Sequence, residues 1–176
     1  IKTNDISKVN LKSNINHEMF KWLKVGANIS GNYLHNNRIP GADLGSTIIG
    51  RAVQQRPFDR PYKPNGGYYT GGTDELLLHN AVQILSEETS YTDNYRFIGS
   101  FWAEAQIIKG LTVRASYNND SAYTYDYIYY NQNHPYAADQ GRILDRNRFV
   151  MTNTIDLYAN YNRKIGEDFE LGAMVG

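Results

Sequence analysis

The chain has 176 residues with 18 basic and 18 acidic side chains, so its formal net charge is zero and nothing in its charge indicates binding to nucleic acid. It contains no cysteine, which excludes disulfide bonds and thiolate metal sites. No stretch approaches the roughly 18 consecutive apolar residues that a membrane-spanning helix requires, although alternating strands can still present an apolar face to a membrane.

The N-terminal part of the sequence predicts two β-strands. Apolar and polar residues alternate over residues 6–15 and, more regularly, over residues 22–34, which indicates strands with one apolar face. Residues 17–21 are predicted to form the short connection between them. Trp22 and Tyr33 stand near the ends of the second strand, as in the aromatic belts of a transmembrane barrel, but a long strand of a soluble sandwich with aromatic ends fits equally well.

Residues 36–90 show no periodicity. They contain four of the chain's five prolines and several turn-forming glycine pairs. A helix is predicted over residues 74–85, with Thr73 as its N-cap. A connection of this length is unusual in a compact domain unless it has a function, and long loops are expected on the extracellular side of an outer-membrane barrel.

Residues 91–125 predict a long β-hairpin whose tight turn is Lys109-Gly110. On the first arm one face is apolar, and it comprises Tyr95, Phe97, Gly99, Phe101, Ala103, Ala105 and Ile107. The opposite face is mostly polar, with Ile98 and Trp102 as exceptions. Both arms exceed the roughly six residues of an ordinary strand, as the strands of a transmembrane barrel do.

The remainder of the sequence predicts a second long connection over residues 126–146, followed by two more strands. The first of these strands covers residues 147–164, and Asn153 interrupts its apolar face. A turn at residues 166–168 then leads into a strand that begins at Phe169.

Short and long connections alternate strictly in this order. The short ones are residues 17–21, 108–110 and 166–168, and the long ones are residues 36–90 and 126–146. In an antiparallel meander every short turn then lies at one end and every long loop at the other, as in an outer-membrane barrel, whereas a soluble sandwich has no reason to separate them. The predicted fold class is therefore all-β, an antiparallel transmembrane meander of about six strands from a larger barrel.

Four stretches share spaced residues with a known family. The first contains Asn10, Leu11, Asn14, Trp22, Leu23, Lys24, Gly26 and Asn28, and the second contains Gly66, Gly67 and Tyr68. The third contains Gly99, Glu104, Ile107, Lys109, Gly110 and Leu111, and the fourth contains Ala159, Asn160, Tyr161 and Asn162, where the family usually has Leu-Thr-Tyr-Asn. In this order, and over most of the chain, they resemble the SusC/RagA family of TonB-dependent outer-membrane transporters.

The resemblance implies a plugged barrel of about 22 strands, of which residues 1–176 are a part that lacks the plug and the N-terminal region. It implies a location in the outer membrane of a Gram-negative cell, in contact with lipid, and active import of large nutrients such as glycans or oligopeptides. The implied partners are a SusD-like lipoprotein, which captures the substrate, and the TonB complex, which supplies energy through the plug. The alternative function is that of a soluble all-β carbohydrate-binding module.

No residues indicate catalysis, a metal or a cofactor. The four histidines share no ligand spacing with one another or with nearby carboxylates. No nucleophile, phosphate-binding or dinucleotide-binding motif occurs. The chain is therefore predicted not to be an enzyme.

Two sets of residues are candidates for contacts. Arg96, Glu104 and Arg114 are predicted to face the barrel lumen, where simple solvation of the inner wall is the alternative reason for their charge. Tyrosine is abundant, with 15 residues, and its ring can stack on a sugar or pack at a protein interface. The candidate ligand or partner contacts in the loops are Tyr68, Tyr69, Tyr127, Tyr129, Tyr130 and Tyr136. Packing of the loops against each other is the alternative role for these six tyrosines.

Overall fold

The computed structural model describes residues 4–38, 48–55, 60–69, 80–135, 137, 140–165 and 169–176. Within them the strands are β1 (Ile6–Phe20), β2 (Leu23–Asn37), β3 (Glu88–Ile108), β4 (Leu111–Tyr130), β5 (Arg142–Ile165) and β6 (Phe169–Val175), and the helices are α1 (Ile48–Gln54) and α2 (Ala81–Glu87). The strands form one antiparallel sheet in the order β1-β2-β3-β4-β5-β6, which is not closed. The predicted all-β meander is confirmed.

The connections alternate between short and long as predicted, with changed bounds. The short ones are residues 21–22 and 109–110, and the long ones are residues 38–87 and 131–141. The predicted turn at residues 166–168 lies outside the described residues. Antiparallel strands joined in this way place the two described short turns at one end of the meander and both long connections at the other.

The turn between β3 and β4 depends on Gly110. Its φ is 93°, a left-handed conformation that glycine adopts without strain. A Cβ atom at this position would lie 2.5 Å from the carbonyl oxygen of Asn162. The amide of Asn162 donates to the carbonyl of Gly110 at 2.8 Å, so the same close approach also joins β4 to β5. The predicted Lys109-Gly110 reversal is confirmed.

The first five strands are longer than predicted. β1 continues over residues 17–20, which were predicted as a connection, and β5 begins at Arg142. β4 continues through Tyr127, Tyr129 and Tyr130, so the prediction that these tyrosines lie in a loop is wrong. Aromatic residues favour strands, and tyrosine on both faces hides the alternation by which a strand is recognised.

The long connection between β2 and β3 contains the two helices. α2 begins directly after Asn80, which is extended (φ −61°, ψ 116°) and accepts hydrogen bonds on its side-chain oxygen from the amides of Val82 and Gln83 at 3.0 and 3.4 Å. The prediction of one continuous helix over residues 74–85 is therefore wrong, because Asn80 is not helical and the helix begins after it. Its first residues, and the predicted N-cap Thr73, lie outside the described residues. The sequence did not predict α1.

The chain divides into two compact units. Unit 1 consists of Ile1–Ser7, Leu34–Asp93 and Thr124–Arg148, and unit 2 consists of Lys8–Tyr33, Asn94–Tyr123 and Phe149–Gly176. Unit 1 has a small apolar core, formed by Ile48, Ala81 and Ile84 with Leu85 packed against them. This core joins α1 to α2.

Unit 2 has no such core. Among the described residues, none of its large apolar side chains is buried. Its strands instead carry a row of exposed apolar side chains, which includes Val9, Leu11, Phe97, Phe101, Ile107, Phe149, Met151, Ile155 and Leu157. Exposed apolar surface of this extent marks contact with a membrane or with another protein.

Candidate functional site

One face of unit 2 forms an open apolar groove of about 470 Å³. Its apolar lining residues are Val9, Leu11, Gly31, Tyr33, Tyr95, Phe97, Tyr123 and Phe149. They come from five neighbouring strands, and on each strand they occupy odd-numbered positions, so they share one face of the sheet. We call this the apolar face. Tyr95 and Phe97 of this face belong to the apolar face that the sequence predicts on the first hairpin arm.

A row of tyrosine rings borders the apolar face at one end, and a stacked aromatic pair at even-numbered positions lies near the other end of β2. Tyr95 lies between Tyr33 and Tyr123, with ring centres 4.8 and 6.2 Å away, which makes a tyrosine row across β2, β3 and β4. Near the other end of β2, Phe20 and Trp22 stack with ring centres 5.6 Å apart.

The distance between the tyrosine row and the level of Trp22 is close to the height of the apolar band of a barrel. Trp22 and Tyr33 are eleven residues apart. At a rise of about 3.3 Å per residue they are about 36 Å apart along the strand, or about 26 Å along the membrane normal for a tilt of about 45°. Outer-membrane barrels have an apolar band about 25 Å tall between girdles of aromatic residues.

The opposite face of unit 2 carries the charged residues that are predicted to face the lumen. Arg96 binds Asp120 in a bidentate pair, with Nε 2.9 Å from Oδ1 and Nη2 2.6 Å from Oδ2. Arg114 Nη1 lies 3.6 Å from Glu104 Oε2. These side chains are partly exposed, so the pairs fix side-chain positions more than they stabilise the fold.

Trp102, the exception on this face, has partners within the chain. The amide of Gln106 donates to the carbonyl of Trp22 at 2.8 Å, and this register places Trp102 opposite Gly26. The indole lies across Gly26 so closely that a Cβ there would be 2.5 Å from Cε2 of the ring. The guanidinium carbon of Arg114 is 4.3 Å from the ring centre on the same face. A large apolar ring is accommodated because glycine faces it and arginine covers it.

Asn153, the polar interruption on the apolar face, also has hydrogen-bond partners within the chain. Its side-chain oxygen accepts hydrogen bonds from the hydroxyl of Tyr117 at 2.8 Å and from the side-chain amide of Asn119 at 2.7 Å. Both donors lie on the neighbouring strand β4. A polar group that is hydrogen-bonded to its neighbours costs much less in an apolar setting than an unpaired one.

Unit 1 contains a cluster of aromatic rings around Tyr91. Its ring centre is 5.1 Å from that of Tyr127, 6.0 Å from Tyr125 and 5.6 Å from His35. We call these four residues the tyrosine cluster. Tyr127 is one of the predicted contact residues, whereas the sequence analysis missed Tyr91, Tyr125 and His35. The signal was present: Tyr91 and Tyr127 are each eighteen residues from Lys109, so a hairpin that turns there places them opposite each other.

Acidic side chains border the tyrosine cluster. Asp93 Oδ1 lies 2.7 Å from Nδ1 of His35, and this hydrogen bond raises the pKa of His35, with further support from Asn37 at 3.2 Å from Nε2. Partial burial, followed by the charge of Asp145, raises the pKa of Tyr125 to about 12. Both groups lie beyond the tyrosine row in their strands, outside the stretch between that row and Trp22. Since both ring nitrogens of His35 face oxygen atoms, the protonated ring can donate to both.

The remaining predicted tyrosines have separate neighbours. The ring of Tyr68 packs against Tyr62 at 5.6 Å, and that of Tyr130 packs against His134 at 4.5 Å. Tyr69 and Tyr129 are exposed, and Tyr136 lies outside the described residues. Among the described residues, no ring contact joins Tyr68 or Tyr69 to the tyrosines of β4.

α2 connects two loop segments of unit 1. The buried side-chain amide of Asn80 donates to the carbonyls of Pro61 and Tyr69 at 2.6 and 3.2 Å. The buried Gln83 donates from Nε2 to the carbonyl of Asn133 at 2.7 Å. α2 therefore holds residues 60–69 on one side and the connection between β4 and β5 on the other.

Neither a spanning helix nor a metal site accompanies these features. In the part of the chain that the structure describes, no helix is long and apolar enough to cross a membrane. Within the same residues, no group of three or more histidine and acidic side chains is placed to hold a metal ion.

The six-stranded sheet is similar to part of known transporter structures. It matches the RagAB peptide importer in its 'closed-closed' state (TM-score 0.74, 21% identity). It also matches the RagAB peptide transporter (TM-score 0.74, 22% identity) and the RagAB peptide importer in its 'open-open' state (TM-score 0.73, 21% identity). Each match covers 96% of this chain and 19% of the other, so the chain spans about a fifth of the length of the solved chains.

At this level of identity the likeness establishes the fold. It fits the predicted meander over nearly the whole chain, and the predicted membership of the SusC/RagA family stays an inference. Comparison with protein-family models gave no match, and comparison with curated proteins gave none.

Proposed function

We propose that this chain forms part of the wall of an outer-membrane β-barrel transporter that imports large nutrients. The observation that carries the proposal is the match of the six-stranded meander to RagAB importer chains over 96% of its length. The apolar face supports it, because the tyrosine row borders that face about 26 Å along the membrane normal from the level of Trp22, which is close to the height of the lipid-facing band of a barrel. The solved neighbours are transporters, which fits a protein that is not an enzyme.

Oligopeptides are the proposed substrate in preference to glycans. The solved neighbours are described as peptide importers, whereas glycan import is supported only by the family resemblance. A soluble carbohydrate-binding module is disfavoured, because side chains such as Leu11 and Ile155, 73% and 77% exposed, would then face water across a whole sheet.

The same proposal assigns partners and residue roles. A SusD-like lipoprotein would cover the end of the barrel that carries the long connections, and TonB would supply energy through a plug outside this chain. The exposed Tyr69 and Tyr129 are the proposed contact residues on this end, together with Tyr68 and the less exposed Tyr127 and Tyr130. Arg96, Glu104 and Arg114 are proposed to line the lumen, opposite the lipid-facing surface.

Uptake by cells that express the full-length protein tests this function. We expect a labelled oligopeptide to accumulate in cells with the gene and to stay outside cells that lack it. Dissipation of the proton gradient is expected to abolish the difference, since transport through TonB depends on that gradient. The protein itself is expected in the outer-membrane fraction, with a folded form that changes its electrophoretic mobility on boiling.

Two results would contradict the proposal. One is a monodisperse folded protein in aqueous buffer without detergent, which would favour the soluble carbohydrate-binding module. The other is outer-membrane protein whose removal leaves the uptake of peptides and glycans unchanged.

A further inference from the structure

Two arginines and one carboxylate line a small pocket in unit 1. The lining residues are Arg38, which follows β2, Asp126 and Ile128 of β4, and Leu144 and Arg146 of β5. The pocket has a volume of about 40 Å³. On β4 and on β5 the lining residues are two positions apart, so each pair lies on one face of its strand.

Positive charge exceeds negative charge in this pocket. Asp126 Oδ1 lies 3.5 Å from Arg38 Nη2, and the same oxygen accepts a hydrogen bond of 2.5 Å from the hydroxyl of Thr92. Arg146 forms no ion pair with any residue that the structure describes. The pocket therefore holds two guanidinium groups and one carboxylate, and that carboxylate already accepts a hydrogen bond from Thr92.

Two donor atoms of Arg38 make no hydrogen bond among the described residues, although Nη2 is ion-paired with Asp126. The Nε and Nη2 atoms of Arg38 are shielded from solvent and, in the described part of the chain, donate no hydrogen bond. These two atoms form the edge of a guanidinium group that binds a carboxylate with two parallel hydrogen bonds, as the same edge of Arg96 does with Asp120. Leaving such donors unpaired is costly, so the described residues leave room for a further acceptor at this edge.

We propose that this pocket binds a carboxylate group of a peptide substrate, carried on an aliphatic carbon. The volume of about 40 Å³ has room for a small polar group such as a carboxylate, since about 10–15 Å³ measured in this way already holds one water molecule. Ile128 and Leu144 supply apolar walls for the carbon next to the carboxylate. The group can be the C-terminus of the peptide or an acidic side chain.

This inference rests on the proposed function, which makes the inner wall accessible to substrate. Along β4, Asp126 lies an even number of residues from Arg114, so alternation predicts that both lie on the lumen face. The side chain of Arg38 is 35% exposed, so the guanidinium group can be reached from outside although two of its nitrogens are shielded.

Peptide binding to the purified full-length protein in detergent tests the pocket. The probes are tetra-alanine with a free C-terminus, its C-terminal amide, and the amide of Ala-Asp-Ala-Ala. Arg38→Gln is expected to weaken binding of at least one carboxylate probe by about tenfold or more, because hydrogen bonds between charged groups are lost, and to leave the neutral amide unchanged. The affected probe identifies the source of the carboxylate.

Arg148→Gln is the matched control, since Arg148 lies two residues from Arg146 on β5 but does not line the pocket. It should leave the binding of all three probes unchanged. Equal binding of acid and amide by the unaltered protein, or equal weakening of all probes by Arg38→Gln, would overturn the proposal and assign the pocket to water. Binding of a glucuronate oligosaccharide through Arg38, with no peptide carboxylate bound, would overturn the peptide assignment.

Asp126→Asn is expected to change the affinity for carboxylate probes in the opposite direction. It removes the internal carboxylate that competes for Arg38, so carboxylate probes are expected to bind several-fold more tightly. A variant that simply fails to fold would weaken all probes instead. Uptake of the neutral amide by cells reports on the proposed function separately: if that uptake occurs and both pocket variants bind like the unaltered protein, only the pocket assignment fails.

Discussion

The position of the Trp102 side chain on β3 depends on the absence of a side chain at Gly26 on β2. The indole of Trp102 lies across Gly26, where a Cβ would be 2.5 Å from the ring, whereas a Cβ at Gly31 on the same strand would meet nothing within 4 Å. Gly26→Ala is therefore expected to displace the indole and its contact with Arg114, and to destabilise the protein by about 1–3 kcal/mol.

Gly31→Ala is the matched control for this substitution. It should leave stability unchanged or raise it by about 0.4–1 kcal/mol, since alanine restricts the unfolded chain. The measurement is urea unfolding of the full-length protein refolded in detergent. Equal effects of the two substitutions would show that the indole does not pack on Gly26.

At the scale of elements, the sequence predicts the strands well and their ends poorly. Alternation over residues 22–34 and 147–164 identifies β2 and β5, because each strand has one largely apolar face, broken in β5 only at Asn153. The upper part of β4 is missed because tyrosine is both aromatic and polar. The pocket at Arg38 and Arg146 could not be predicted, since these residues are more than a hundred positions apart and meet only through the pairing of four strands.

The same argument applies to α2, whose start is set by contacts that the sequence does not reveal. Asn80 caps the helix and also anchors two loop carbonyls, so Asn80→Ala is expected to destabilise α2 locally by about 1–2 kcal/mol. Hydrogen exchange of the amides of residues 81–87 in the full-length protein measures this. Ser86→Ala on the exposed side of α2 is the control and should change the exchange little. Asn80→Ser keeps a cap but cannot reach the carbonyls, so full recovery by serine would contradict the anchoring role.

At the scale of the whole molecule, the effect of a charged substitution on the apolar face depends on whether that face contacts lipid or water. Ile155 is 77% exposed and lies six residues along β5 from Phe149, which lines the groove beside the tyrosine row. Six residues cover about 20 Å of strand, or about 14 Å along the normal at a tilt of about 45°, close to half the distance between the tyrosine row and the level of Trp22. Ile155 is therefore placed near the middle of the bilayer.

Ile155→Arg is expected to cost about 2–4 kcal/mol in a membrane, because it places a charge near the midplane of the apolar band. Thr154→Arg, one residue away and on the opposite face, should cost little, because the lumen side of a barrel is wet. The measurement is the folded fraction of the full-length protein in the outer membrane, read from its mobility without boiling, together with urea unfolding in lipid vesicles. In a soluble protein both positions would face water and both arginines would be tolerated alike, so equal behaviour of the two variants would place the apolar face outside the bilayer.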